Sequence, residues 1–128
     1  MKTIGIGVDI VNNKRIKSLI KNKQFVIRTF DKKEILLSKK IINKTNYFSK
    51  RFAAKEALVK AIGTGFRDGL NFKDIEIANN KQGKPYYVEN TKLKEFIKKQ
   101  MKIKNFHLFL SISDEKEYSI AFATIQTT

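Results

Sequence analysis

Apolar residues change their spacing several times along this chain of 128 residues, and the changes outline its elements. Residues 3–8, Thr-Ile-Gly-Ile-Gly-Val, form a short β-branched run that reads as a buried strand ending at Asp9. A helix is expected from Asn12 or Asn13, with asparagine as N-cap and Ile16, Leu19 and Ile20 on one face. A second helical stretch is expected over residues 31–41, capped by Asp31, with Ile35, Leu36 and Ile42 facing inward. Residues 43–46 break that pattern.

The longest periodic stretch runs from about Asn46 to Ile62. At 100° per residue Phe48, Phe52, Val59 and Ile62 fall within a narrow arc, which defines its core stripe. Gly63-Thr64-Gly65 supplies the stop. Beyond it, Arg67-Asp68-Gly69 reads as a turn, residues 72–78 alternate as a strand, and Lys81 to Pro85 turn the chain into a short strand, Tyr86 to Val88. A helix over 91–101 places Leu93, Phe96, Ile97 and Met101 inward. Strands over 106–113 and 117–125 form a hairpin around Asp114-Glu115-Lys116. Helices with mostly hairpin-linked strands predict one α+β domain over residues 1–128, a long central helix packed on a small, mostly antiparallel sheet.

Composition narrows the chemistry. With no cysteine there are no disulfides, thiolate metal sites or cysteine nucleophile, and one histidine excludes a multi-histidine zinc site within one chain. An apolar content of 41% supports a small core that oligomerisation would help to complete. No spanning segment is expected, because the apolar run Ile4 to Val11 is about a third of the roughly 20 residues required. It lacks a signal-peptide layout as well, so a cytoplasmic protein without a membrane partner is expected. The net charge of +15 invites a polyanionic partner. Lysine, isoleucine and asparagine crowd together here as nucleotide-composition bias would also leave them, so charge alone decides nothing.

Individual residues say more. Gly5-Ile6-Gly7 resembles the start of a dinucleotide loop, but Ile10 stands where the third glycine belongs, and close backbone packing explains these glycines better. Asp9 follows the strand and serves either as an ordinary cap or as a ligand-site carboxylate. Glu56 and Lys60, spaced i,i+4, share a flank of the long helix, which on the ordinary reading is a surface ion pair. Lys55 projects into the middle of the apolar arc, a break in the binary pattern of the kind found at functional sites or interfaces. If Asp9 and Glu56 converge they form an all-oxygen pair suited to Mg²⁺, with water and phosphate completing its octahedron. Arg51, Lys55, Lys60, Arg67 and Lys84, with glycines at 63, 65 and 83, supply the cations and open backbone that phosphate oxygens need.

Taken in order, these pieces resemble the holo-acyl-carrier-protein synthases, the short bacterial 4′-phosphopantetheinyl transferases. The matching residues are Gly5 to Val11 with Arg15-Ile16, Arg51 to Ala57, Lys60 to Gly65, and Gly83-Lys84-Pro85, which together span nearly the whole chain. The resemblance implies a single compact transferase domain and Mg²⁺-dependent transfer of phosphopantetheine from coenzyme A to a serine of apo-acyl carrier protein, in fatty acid biosynthesis. Adenosine 3′,5′-bisphosphate would be released. It implies Asp9 and Glu56 as metal ligands, Glu56 and Lys60 as catalytic groups, and Arg51, Lys60, Gly63, Thr64, Gly65, Lys84 and Pro85 around the nucleotide and its phosphates. Either Glu56 or a metal-bound water would take the serine proton. Arg15 would meet acidic residues of the carrier protein, and the assembly would be a homotrimer with sites between subunits.

Two departures accompany the resemblance. Long monomeric relatives carry an acidic residue two positions after the aspartate, where this chain has Val11. The family often has a histidine nine residues before the tyrosine matching Tyr118; an ungapped match puts Phe109 there, with His107 two residues earlier unless a bulge intervenes. The competing class is a small basic nucleic-acid-binding protein, carried by charge and 11% aromatic content. No carboxylate-free basic helix or evident stacking motif supports it, so no nucleic-acid partner is expected.

Overall fold

The first strand, β1 (Lys2–Asn12), lies against the long helix α4 (Lys44–Ile62) with almost nothing between their backbones. A Cβ on Gly7 would stand 1.9 Å from the Ala57 carbonyl oxygen, and one on Gly5 would stand 2.3 Å from that of Ala61. Only glycine fits, so the paired glycines serve close packing and not a nucleotide loop. The computed structural model describes residues 1–65 and 69–128; the expected turn at Arg67-Asp68 lies outside the described residues.

Between these elements run three seven-residue helices: α1 (Asn13–Leu19), α2 (Lys23–Thr29) and α3 (Lys32–Ser38). After α4 come one 3-10 turn (Phe72–Asp74), the short strands β2 (Ile77–Asn79) and β3 (Pro85–Tyr87), helix α5 (Thr91–Met101), and the hairpin strands β4 (His107–Asp114) and β5 (Tyr118–Thr127). A three-stranded antiparallel sheet has the order β1-β5-β4, and β2 pairs antiparallel with β3. This is the expected α+β arrangement. Among the described residues no helix is long and apolar enough to cross a membrane.

Helix α4 is enclosed on nearly all sides, more than one apolar stripe requires. Phe48, Phe52, Val59 and Ile62 are buried as expected, but so are Ala53, Ala54, Ala57, Leu58 and Ala61, whose small side chains admit the sheet. Between Arg51 and Ile62 only Glu56 and Lys60 escape burial. The helix starts at Lys44, earlier than its apolar period, because the Asn43 side chain accepts the Asn46 N–H as an N-cap. Gly63, with φ of 91°, ends it in the left-handed conformation.

Several expectations need correcting. Strand β1 does not end at Asp9; it pairs with β5 as far as Asn12 opposite Tyr118. Nor is it buried on both faces, since Ile6, Val8 and Ile10 are 62%, 54% and 60% exposed. Helix α2, capped by Asn22, has no counterpart in the expected elements. Helix α3 is shorter than residues 31–41, and Leu36 and Ile42 point outward, although Ile35 packs inward. Residues 72–78 begin as a 3-10 turn because Asp74 Oδ2 accepts the Asn71 N–H at 2.8 Å and curls the chain before β2. Helix α5 matches residue for residue, with Leu93 and Ile97 buried.

Candidate active site

Asp9 occupies the face of β1 that looks onto α4, between the glycine contact at Gly7 and buried Val11. There it meets the open flank of the helix. Lys60 Nζ lies 3.1 Å from Asp9 Oδ1 and donates to the Val8 carbonyl at 3.1 Å. The ion pair of this flank is therefore Lys60–Asp9, across two elements, and not the helical Glu56–Lys60 pair of the ordinary reading. Burial, then the charge of Asp9, push the Glu56 carboxyl above its usual pKa, while Lys60 and Arg15 act in the opposite direction. Burial is the larger cause, so the ionised Glu56 carboxylate is disfavoured chiefly by partial loss of water and further by its carboxylate neighbour. Arg15 is exposed on α1, its guanidinium 5.8 Å from the centre of the Phe52 ring.

This donor set fits a hard divalent cation. Two carboxylates in electrostatic contact, one of them destabilised as an anion, are what Mg²⁺ relieves while keeping water and phosphate oxygens in its remaining positions. Among the described residues no three His, Cys, Asp or Glu side chains group as a closed metal cage. Val11, in the place of a third carboxylate, is 2% exposed and part of the core.

The opposite flank of α4 is built differently. Lys55, fully buried, donates to Glu34 Oε1 at 2.7 Å, to the Ile75 carbonyl at 2.5 Å and to the Phe72 carbonyl at 3.1 Å. All three ammonium donors find oxygens, so this is a buried ion pair even though burial, the larger influence, draws the lysine pKa downward against the pull of Glu34. Glu34 also accepts from the backbone N–H groups of Asp31 and Ile77, at 2.9 and 3.1 Å. Lys55 is thus a structural tie between α3, α4 and β2. Its break in the apolar pattern marks no ligand, and the expectation of a phosphate-side cation is corrected.

Arg51, one turn earlier, shares that flank. It is 5% exposed, lies 4.0 Å from the Tyr47 ring centre, and donates from Nη2 to Asn79 Oδ1 at 2.8 Å. It lines a cleft of about 460 Å³ with Tyr47, Lys50, Asn79, Gly83 and Pro85. Lys84 and Pro85 line a neighbouring cleft of about 330 Å³ with Tyr86 and Phe109. Neither cleft includes Asp9, Glu56 or Lys60. The site residues expected from sequence divide into two groups within one chain.

A family model described as the 4′-phosphopantetheinyl transferase superfamily matches residues 5–123. The chain belongs to this superfamily. Among its relatives, the holo-[acyl-carrier-protein] synthase of Pelagibacter ubique is 59% identical over 126 residues, covering 98% of each chain. That of Wolbachia pipientis is 45% identical over 94% of this chain and 95% of its own. Among solved structures, the Neisseria meningitidis holo-[acyl-carrier-protein] synthase superposes with a TM-score of 0.87 at 36% identity, covering 98% of this chain and 99% of that one. The Bacillus anthracis enzyme, solved in complex with CoA (3′,5′-ADP), gives 0.82 at 31% identity with full coverage of both.

Two further segments singled out in the sequence follow α4 and lie on β4. Gly63-Thr64-Gly65 follows α4 directly, Gly63 and Gly65 both with positive φ, one turn beyond Lys60. On β4 the pairing with β5 is regular, His107 opposite Gln126 and Phe109 opposite Thr124. No bulge intervenes, so Phe109 keeps the position where family members often carry histidine, and His107 remains two residues away.

Proposed function

We propose that this member of the superfamily is a holo-[acyl-carrier-protein] synthase, with residues 1–128 acting as one transferase domain. It transfers 4′-phosphopantetheine from coenzyme A to a serine of apo-acyl carrier protein, in fatty acid biosynthesis in the cytoplasm, and releases adenosine 3′,5′-bisphosphate. The observation that carries the reading is the meeting of Asp9, Glu56, Lys60 and Arg15 on the one open flank of α4. Near full-length similarity to synthases supports it.

Asp9 and Glu56 would hold Mg²⁺, which when bound supplies positive charge against a pyrophosphate. Lys60, tethered to Asp9 and the Val8 carbonyl, holds an ammonium where a phosphate would approach and balances the charge that grows on the leaving oxygen. The serine oxygen forms a bond to the β-phosphorus, and the bond from that phosphorus to the adenosine bisphosphate oxygen breaks. Glu56 takes the serine proton. Arg51, Lys84 and Pro85 bind the nucleotide, with Gly63, Thr64 and Gly65 offering backbone to its phosphates. Arg15 receives acidic side chains of the carrier protein.

The active assembly is a homotrimer whose sites lie between subunits. Support comes from the division of the site residues between two flanks of α4, about 140° apart for Arg51 and Glu56 at helical spacing. The uncovered sheet face, where Val8 lies opposite Phe122 and Ile10 opposite Ile120, supplies an apolar surface for association. The test is mass spectrometry of apo-acyl carrier protein incubated with coenzyme A, Mg²⁺ and enzyme. A gain of one phosphopantetheine group per carrier, lost on chelation, is expected. An unmodified carrier, with tight and steeply salt-dependent binding of nucleic acid instead, overturns the reading. Mixing inactive Glu56→Ala subunits with Arg51→Ala subunits, at a coenzyme A concentration too low for Arg51→Ala to turn over, is expected to restore part of the activity; no recovery after verified subunit exchange contradicts shared sites.

A further inference from the structure

The hairpin between β2 and β3 carries a side chain with no part in the function above. Asn79 ends β2, is exposed, and stands opposite Pro85 in the ladder. Its amide faces two groups of opposite character. Arg51 Nη2 donates to Asn79 Oδ1 at 2.8 Å, and Asn79 Nδ2 donates to the Gly83 carbonyl at 2.9 Å. A guanidinium can only donate and a carbonyl can only accept, so a single orientation of the amide satisfies both. The rest of the turn is closed on Asn80, whose Oδ1 accepts the N–H groups of Gln82 and Lys84, each at 2.9 Å.

Arg51 has need of such a tie. Its Nε is buried without a hydrogen-bond partner among the described residues, with Glu34 Oε2 3.7 Å away. The Tyr47 ring, its centre 4.0 Å away, and Glu34 hold the inner part of the guanidinium, but neither hydrogen-bonds its Nη2 end. Asn79 fixes that end with a hydrogen bond. The same amide holds Gly83, next to Lys84 and Pro85, so one side chain sets the helix cation and the turn in a common geometry.

We propose that Asn79 is a positioning residue for coenzyme A, orienting Arg51 and the Gly83-Lys84-Pro85 turn before the nucleotide arrives. This rests on the reading of Arg51, Lys84 and Pro85 as nucleotide-binding. Geometry set in advance spares the ligand the ordering of a long cation and a glycine turn. Asparagine suits the position better than aspartate, which would keep the acceptor for Arg51 but turn a second oxygen against the Gly83 carbonyl.

Steady-state kinetics with coenzyme A varied at saturating carrier protein tests this. Asn79→Ala is expected to raise KM for coenzyme A about tenfold, the scale of one hydrogen bond to a charged group, with kcat and the carrier protein KM unchanged. Asn79→Asp should raise it further. In an Arg51→Ala background Asn79→Ala should add less than it does alone, because only its hold on the Gly83-Lys84-Pro85 turn remains. A fully additive effect in that background, or an unchanged KM in Asn79→Ala when Arg51→Ala raises it, overturns the proposal. An unchanged KM in Arg51→Ala itself overturns the nucleotide reading of Arg51, and the proposal with it. Should Arg51→Ala fail to fold, Arg51→Lys replaces it in both comparisons.

Discussion

The two flanks of α4 carry similar residue types to opposite ends. On one, Glu34 and Lys55 are sealed in, and the lysine's donors all end on protein oxygens. On the other, Asp9, Glu56 and Lys60 remain within reach of solvent, and Glu56 has a pKa pushed up by burial and a neighbouring carboxylate. A charge whose hydrogen bonds its own chain completes builds the fold, whereas a charge left open to solvent is available to a ligand. The difference lies in hydrogen-bond completeness, which burial alone would not reveal.

Breaking the sealed flank should give the largest loss of stability. Lys55→Met removes the ammonium from buried Glu34, leaving it two backbone N–H donors and the more distant Arg51, and is expected to cost about 3 kcal/mol in denaturant unfolding. Replacing both partners with apolar residues of similar volume should recover much of that loss. On the open flank, Asp9→Ala is expected to lower kcat/KM by about 10²–10³-fold, the scale of a lost electrostatic contact to a transition state, with the thermal midpoint maintained. Gly7→Ala tests the backbone contact that brings Asp9 to Glu56. Its methyl group collides with the Ala57 carbonyl, and a loss of about 1–3 kcal/mol or more is expected, together with reduced activity.

The smallest effect concerns Glu56 and pH. Its folded pKa lies above the unfolded value, so the folded protein holds this proton more tightly than the unfolded chain does. Stability from that proton is fully present below the ordinary carboxylate pKa and is lost as pH rises through the raised one. Metal-free Glu56→Gln should therefore melt a few degrees higher than the parent near neutral pH, with the advantage disappearing in acid. Equal melting at both pH values would remove the electrostatic contrast between the flanks.

Much of the open flank was legible from sequence because local periodicity carries it. Spacing of i,i+4 set Glu56 beside Lys60, and the apolar run led to Asp9. Pairing of Lys60 with Asp9, 51 residues away in sequence, was not legible. Lys55 was misread for the same reason: its partner Glu34 lies 21 residues off, and a single pattern break does not reveal whether a lysine will be paired. The separation of Arg51 from Glu56 could have been found, since five residues at helical spacing already place them on different flanks. Helix α2 is a single seven-residue segment, too short for a periodic signal. Strand β1 reads as buried on both faces because its outer face is apolar; one chain leaves that face uncovered.

The central contrast is tested most directly by comparing Asp9→Ala and Lys55→Met in a single-turnover transfer of phosphopantetheine to apo-acyl carrier protein. The temperature is chosen so that circular dichroism shows both variants folded. Asp9→Ala is predicted to transfer about 10²–10³-fold more slowly although as stable as the parent, and Lys55→Met to transfer at close to the parental rate although less stable. Parental turnover by Asp9→Ala, or a folded and inactive Lys55→Met, would contradict the assignment of the open flank to chemistry and the sealed flank to structure.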